Sequence, residues 1–296
     1  MSSLTETFSV AEHIFRLVFT DTSRNSMALL PSLLPFRTDN TSEPLLFELI
    51  IDDNLQPIAK EQRERIRAFE TGNGETIVDQ IKGGGYQYIF KNNRNEPCCL
   101  LQCDEKFQHC KCALNGHYNM RCFGLSNALM LTYAYASSYK QTLLIHASLV
   151  RHHDKGYAFI AKSGTGKSTQ VSSWLRYIPD CNLMNDDNPI IRVIDQKVFI
   201  YGGPWSGKTP CYRNVKAELG AITRIDRAQT NSIDREDPIS AFASFLPSCA
   251  SMKWDEAIYR RTGDIIAYIV ERIPIYTLHC LPDKEAAILC HQTITR

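Results

Sequence analysis

The most informative segment of this chain is Ala161-Lys162-Ser163-Gly164-Thr165-Gly166-Lys167-Ser168-Thr169. It matches the phosphate-binding loop G-x-x-x-x-G-K-[ST] except at its first position, where alanine replaces glycine. Because Gly164 and Gly166 let the backbone turn its N–H groups inward, the loop can surround a β-phosphate. Lys167 can then reach the β and γ oxygens, and Ser168 can hold magnesium. The stretch therefore predicts a site for ATP with Mg²⁺, and we expect all residues from Ser163 to Thr169 to contact the nucleotide.

The residues on either side of this loop predict the strand and the helix that it needs. Two apolar runs, 143–150 and 157–160, flank a polar turn and predict a hairpin whose second arm enters the loop. After the loop, Val171, Trp174 and Leu175 share one face of a helix over 170–177. The alternative is a chance Gly/Ser turn before a helix, which the flanking strand and helix both disfavour.

Two adjacent carboxylates, Asp186 and Asp187, follow the loop at a position where an apolar strand begins or ends. A kinase needs one carboxylate to accept the proton of the attacking hydroxyl and further oxygen ligands to complete the magnesium shell. Adjacent aspartates can divide these roles. The alternative is a polar turn before Pro189, where Asp and Asn are favoured without any function. The residues alone leave both interpretations open.

A known family shares these features. The hairpin carrying His146, the loop over 163–168 and the Asp186-Asp187 pair resemble the catalytic domain of HPr kinase/phosphorylase, whose fold phosphoenolpyruvate carboxykinases share. The resemblance covers roughly residues 117 to 296. It departs from the family at His146-Ala147, where the family has His-Gly, and in lacking the family's glycine-rich signature with a further metal-binding glutamate. These departures leave the phosphoryl acceptor open.

The resemblance also implies roles for single residues. It places Lys167 on the phosphates, Ser168 on magnesium, Asp186 as the base and Asp187 as a metal ligand or its supporting partner. His146 matches a histidine near the family's site, and the alternative for it is a core-facing strand histidine.

An arginine that stabilises the transferring phosphoryl group is expected in this chemistry. The candidates are Arg213, Arg260 and Arg261, of which we select Arg213 as catalytic. Each of them has the alternative of a solvated surface charge.

A loop dense in Gly and Pro replaces the missing signature, over residues 200–210. It resembles the Gly-Thr-Pro-Trp type loop of HPr-kinase-like proteins. Trp205 offers a stacking face, and Lys208 with Arg213 can meet phosphate or an acidic peptide. The alternative is an ordered surface loop held by Trp205.

The organisation of the chain follows from a change in pattern near residue 117. Before it, short apolar runs separated by Gly, Asn, Asp and Pro predict a mostly antiparallel β domain over residues 1–116, with residues 61–69 as its best helix candidate. After it, Leu125, Ala128, Leu129 and Tyr133 recur at helical spacing and open a domain over residues 117–296. We therefore predict an α/β (α+β) chain, with a smaller β domain before a P-loop HPr-kinase/phosphoenolpyruvate-carboxykinase-like domain with a mixed sheet.

Composition narrows the class of protein. Thirty-three Lys and Arg against 32 Asp and Glu give a net charge of +1, so no global field predicts a nucleic-acid or membrane partner. No secretion signal and no apolar run of membrane length stand out, so we expect a cytoplasmic protein.

The 11 cysteines are odd in number, and the cluster over 98–122 lacks a C-x-x-C pair. They predict reduced, buried thiols rather than disulfides or a zinc site.

These expectations combine into one hypothesis and two alternatives. We expect an ATP-dependent kinase that transfers the γ-phosphoryl group to a hydroxyl, with a Ser or Thr of a protein or peptide as acceptor. One alternative is a nucleotide-binding regulator or assembly factor without turnover. The other is a small-molecule kinase. The family's hexamers make a homo-oligomer a further expectation.

Overall fold

The computed structural model of the 296-residue chain describes residues 3–40, 43–207 and 209–296. It is an α/β structure with two mixed sheets. Contacts divide the chain into two compact units, Met1–Ser137 and Ser138–Arg296. None of the helices in the described ranges has the length and apolar character needed to cross a membrane.

The first unit contains a sheet of eight strands over its described residues, in the order β1-β2-β3-β8-β7-β6-β5-β4. Pairing is antiparallel except between β2 and β3 and between β3 and β8. The strands are β1 (Leu4–Val10), β2 (His13–Phe19), β3 (Glu48–Ile51), β4 (Arg63–Glu70), β5 (Glu75–Ile81), β6 (Tyr86–Lys91), β7 (Pro97–Cys103) and β8 (His109–Leu114). Short 3-10 helices cover Met27–Leu29, Pro31–Phe36 and Lys60–Gln62.

Helix α1 (Tyr118–Ser138) packs onto the aromatic core of this sheet. Phe15 stacks on Phe47 at 4.8 Å between ring centroids, and Tyr133 meets Phe15 edge-on. The Tyr133 hydroxyl also donates to the Val10 carbonyl at 3.0 Å. The contact division at 137/138 lies at the last residue of α1, whereas the boundary predicted at 116/117 precedes the helix.

The helix predicted over 61–69 is wrong, because most of this segment forms the edge strand β4. Arg63 and Arg65 both reach the carboxylate of Asp79 on β5, which is fully buried. Side chains two residues apart share a face only in a strand. The buried carboxylate therefore selects the extended form.

The cysteines of the first unit lie inside it. Cys98, Cys99, Cys103, Cys110 and Cys112 are buried, and Cys122 is half-buried. Burial raises the pKa of the Cys99 and Cys103 thiols well above the ordinary value, which keeps them protonated. Within the described ranges no group of three or more His, Cys, Asp or Glu side chains is arranged to hold a metal ion.

The second unit contains a sheet of nine strands over its described residues, with the main order β12-β10-β11-β15-β14-β13-β9 and with β17 and β16 following beside β15. The strands are β9 (Thr142–Leu144), β10 (Ala147–His152), β11 (Lys155–Ile160), β12 (Cys181–Asp187), β13 (Ile190–Ile194), β14 (Lys197–Tyr201), β15 (Lys216–Arg227), β16 (Ser232–Arg235) and β17 (Ile275–Cys280). The helices are α2 (Lys167–Tyr177), α3 (Pro238–Phe245), α4 (Glu256–Val270) and α5 (Lys284–Ile294), with a 3-10 helix over Leu246–Ser248.

Helices cover both faces of this sheet. Phe159 belongs to the core that includes Trp174 of α2 and Ala286 of α5, whereas Ile160 belongs to the core that includes Phe245 of α3 and Ile266 of α4. Successive strand residues point to opposite faces. Therefore α2 and α5 lie on one face, and α3 and α4 on the other.

The strand directions gather three chain segments at one edge. The predicted hairpin forms, as β10 and β11 pair antiparallel. Strand β11 pairs parallel with β15, which pairs parallel with β17. The carboxyl ends of parallel strands meet at the same sheet edge, where ligands of α/β folds commonly bind. Here those ends carry the loop over 161–166, Arg227 and Cys280.

Candidate active site

The glycine-rich loop joins β11 to α2, as the sequence predicts. Gly164 and Gly166 have φ values of 78° and 134°, in the region where side chains are strained. A Cβ at either position would meet no heavy atom within 4 Å. Backbone conformation, not crowding, therefore requires glycine there. Ala161 does not adopt a positive φ, so it fits the position of the usual first glycine.

Lys167 is the first residue of α2 and its side chain is buried. Its Nζ lies 2.9 Å from His146 Nε2 and donates to the Ala161 carbonyl at 3.1 Å. Burial lowers the pKa of Lys167, while the negative charges of Asp187 and Asp186 oppose that shift. A partly desolvated ammonium beside the loop is placed to meet an incoming phosphate.

Asp186 lies between two hydroxyls. Its Oδ1 accepts from Ser148 Oγ at 2.6 Å and from Ser168 Oγ at 3.0 Å. Ser148 and Asp186 are register partners on β10 and β12, so the sheet itself sets their contact. Ser168 comes from the first turn of α2. These contacts place the loop serine and one carboxylate at a single point.

Asp187 contacts His146 and Asn188 rather than the two serines. Its Oδ1 lies 3.1 Å from His146 Nδ1, and its Oδ2 accepts from Asn188 Nδ2 at 2.6 Å. An ammonium group can only donate, so His146 Nε2 accepts from Lys167 and Nδ1 carries the ring proton. His146 therefore links Lys167 to Asp187.

The backbone at Asp187 is strained. Its φ is 144°, in a region that favours glycine and costs other residues about 1 to 3 kcal/mol. Asp187 forms an isolated bridge with Ser206, whose Oγ donates to the Asp186 carbonyl at 3.1 Å. The Gly/Pro loop after β14 thus holds the end of β12 in this conformation.

Asn185 of β12 also holds the Gly/Pro loop in place. Asn185 Nδ2 donates to the carbonyls of Gly203, at 3.3 Å, and Trp205, at 3.0 Å. Trp205 is buried, so its ring packs inside the unit, and the predicted stacking face is wrong. Lys208, predicted to meet phosphate or peptide, lies outside the described residues.

The predicted arginines lie away from these groups. Arg213 donates to Asn182 Oδ1 at 3.2 Å and to the Leu183 carbonyl, near the start of β12. Arg261 lies over the Tyr139 ring at 4.6 Å, and Arg260 is exposed on α4. Sequence reasoning missed Arg227, whose guanidinium donates to the carbonyls of Gly164 and Thr165. Only the parallel pairing of β15 with β11 reveals that contact.

Two cavities adjoin the loop and share Gly164, Gly166 and Thr169. The first, of about 390 Å³, is lined by both aspartates and by every predicted loop residue except Thr165. Its lining is His146, Ser148, Ser163, Gly164, Gly166, Lys167, Ser168, Thr169, Asp186, Asp187 and Gly207. The second, of about 460 Å³, is lined by Gly164, Thr165, Gly166, Thr169, Gln170, Ile225, Arg227, Ala228, Cys280, Leu281 and Pro282. Thr165 lines only the second cavity.

The donor set suits magnesium bound with a nucleotide. Ser168 and the two aspartates offer only oxygen donors, which Mg²⁺ prefers. Mg²⁺ usually takes one or two carboxylates and completes its shell with water and substrate phosphates.

No protein-family model matches this chain, and no curated protein matches it either.

Proposed function

We propose that this chain is an ATP-dependent kinase of the HPr-kinase-like type, which transfers the γ-phosphoryl group to a hydroxyl. One observation carries the proposal: Lys167, Ser168, Asp186 and Asp187 line a single cavity at the N-terminus of α2. Phosphoryl transfer needs a phosphate cradle, a metal ligand and a proton acceptor. These residues supply all three types of group.

The phosphates would occupy the loop, with Lys167 on the β and γ oxygens. Ser168 and Asp186, already in contact at 3.0 Å, would hold Mg²⁺. When bound, this ion neutralises the charge that develops on the transferring phosphoryl group. Lys167 would exchange its contacts with His146 and Ala161 for phosphate oxygens.

Asp187 is the better candidate for the base, which revises the role expected for Asp186. Asp186 is buried and accepts from two hydroxyls, whereas Asp187 is partly exposed and faces the cavity. The acceptor oxygen would attack the γ phosphorus while its proton passes to the Asp187 carboxylate. The bond from the γ phosphorus to the bridging oxygen breaks, and ADP leaves. His146 Nδ1–H and Asn188 would orient the carboxylate.

The nucleoside would occupy the second cavity, on the far side of the loop. Ile225, Leu281 and Pro282 give it apolar walls that suit a base. The acceptor that we propose is a Ser or Thr of a protein or peptide in the cytosol, without a nucleic-acid or membrane partner.

A second candidate is a nucleotide-binding regulator without turnover. The observation that favours it concerns arginine. In the described part of the chain, no arginine lines the cavity that contains the two aspartates. Transfer without an arginine from this chain would rely on Lys167 and the metal, or on a second copy.

The test is incubation of the purified protein with γ-labelled ATP and magnesium, with and without cell extract. We expect label on an extract protein or peptide with the wild type and with Lys162→Ala, which removes the exposed lysine of the same loop. We expect none with Lys167→Ala. ATP binding without any transfer would favour the regulator, and label confined to a metabolite would favour a small-molecule kinase.

A further inference from the structure

No pattern in the sequence indicates a role for Arg227, yet its side chain contacts the phosphate-binding loop. We infer that Arg227 is a positioning residue that holds the loop ready for a phosphate chain. The inference rests on the proposed nucleotide site. It adds a contribution from β15, which none of the predicted site residues supplies.

Strand pairing sets where Arg227 lies. Strands β11 and β15 run parallel, and their register pairs Ile160 with Arg224. Both chains continue past this pair in the same direction, so Arg227 reaches the level of the loop that follows β11. Arg224 itself pairs with Asp226 and Glu236. Arg227 is thus the member of this strand end that extends to the loop.

Both contacts of Arg227 are with main-chain oxygens of the loop. Its Nε donates to the Thr165 carbonyl at 3.0 Å, and its Nη2 donates to the Gly164 carbonyl. In a trans peptide the carbonyl and the following N–H point in opposite directions. Holding the Thr165 carbonyl toward Arg227 therefore turns the Gly166 N–H to the other side. Inward N–H groups are what an anion cradle requires.

The loop needs such a partner because of its glycines. Gly164 and Gly166 have open space around them and can populate many backbone conformations. One guanidinium that spans two consecutive carbonyls fixes two peptide planes at once. Arg227 is itself exposed, so these bonds do little to stabilise a core. Their main consequence is the shape of the loop.

This role makes a specific prediction about ligands. A residue that shapes the loop should affect every phosphate chain that the loop binds. A residue that contacts only the nucleoside should affect the affinity for ATP alone. Arg227 also lines the second cavity, so a contact with the nucleoside has to be tested separately. Magnesium pyrophosphate, which has no base or ribose, separates the two roles.

The experiment is calorimetric titration of the full chain with magnesium ATP and with magnesium pyrophosphate. We expect Arg227→Ala to weaken both about tenfold, or about 1.4 kcal/mol, with an unchanged melting temperature. Arg227→Lys, which can reach one carbonyl at a time, should recover part of the affinity. The control is Arg235→Ala, an exposed arginine of β16.

Each other outcome counts against the inference. Equal affinity in the wild type and Arg227→Ala would overturn it, and a loss with ATP alone would reassign Arg227 to the nucleoside. A fall in melting temperature that accounts for the loss would make Arg227 merely structural. If the wild type binds neither ligand, the proposed nucleotide site is itself wrong and the inference falls with it.

Discussion

Ser168 Oγ donates to Asp186 Oδ1 at 3.0 Å, joining the first turn of α2 to the end of β12. A hydroxyl and a carboxylate that meet beside the glycine-rich loop can share one metal ion. The neighbouring Asp187 instead contacts His146. The two adjacent carboxylates thus have different partners, and that difference makes their roles separately testable.

Asp186→Asn should weaken binding of magnesium ATP at least about tenfold, because a neutral amide is a poorer ligand for a hard cation. Binding of ATP in the presence of a chelator should be unchanged. Calorimetric titration with and without magnesium measures both. Asp180→Asn, at an exposed position before β12, is the control. An equal dependence on magnesium in Asp186→Asn and the wild type would remove Asp186 from the metal site.

Asp187→Asn should leave magnesium ATP affinity unchanged and lower the transfer rate by about 100- to 10,000-fold, the usual contribution of a general base. The measurement is single-turnover transfer of label from γ-labelled ATP to the acceptor identified in cell extract. His146→Gln should have a smaller effect, since the amide can still donate to the carboxylate. Normal transfer in Asp187→Asn together with lost transfer and retained binding in Asp186→Asn would restore Asp186 as the base.

Because the backbone at Asp187 is strained, replacing this residue by glycine should raise the stability of the protein and abolish its activity. Asp187→Gly should relieve a cost of about 1 to 3 kcal/mol, less about 0.5 to 1 kcal/mol for the freedom that glycine gains when unfolded. We therefore expect a rise of about 1 kcal/mol in the free energy of unfolding, with transfer abolished. Urea denaturation measures the free energy of unfolding. Asp187→Asn serves as the comparison because this variant keeps the strained backbone. A glycine variant less stable than the asparagine variant would contradict the prediction.

The parts of this site that the sequence predicted are local ones. The hairpin, the loop and α2 follow one another along the chain, so apolar periodicity and two glycines suffice to place them. The position of His146 near the loop is less local, and it was expected only through the family resemblance, whereas its contact with Lys167 was not predicted. Asp186 and Asp187 were expected at the site, but their partners depend on the pairing of β10 with β12.

The features that the sequence did not predict depend on distant partners. Residues 61–69 have the polar, charged composition of a surface helix, and only the buried Asp79 on the next strand explains why Arg63 and Arg65 lie in a strand. Arg227 contacts a loop more than 60 residues earlier in the chain. Neither partner can be recognised from the spacing of residues within one segment.

Three histidines lie together near Trp174 of α2. The ring centroid of His152 lies 4.1 Å from that of His153 and 4.7 Å from that of His291. Burial lowers the pKa of His152, as do the neighbouring His153 and His291, while Asp180 opposes the shift. Burial and His153 also lower the pKa of His291.

These shifts predict that acid destabilises the protein. A histidine whose folded pKa lies below its unfolded value of about 6.5 binds fewer protons when folded. Its contribution to stability is therefore present above about pH 6.5 and is lost as the pH falls toward the folded pKa. His291→Phe keeps a ring against Trp174, at 5.2 Å in the wild type, and removes one titrating group.

Urea denaturation between about pH 7 and about pH 5 checks this prediction, since the carboxylates titrate mainly below that range. We expect the wild type to lose stability on acidification and His291→Phe to lose less, because one of the two histidines with a lowered pKa is then absent. His109→Gln, at an exposed position in the first unit, should follow the wild type. Parallel pH profiles for the wild type and His291→Phe would mean that His291 has the same proton affinity in the folded and unfolded chain.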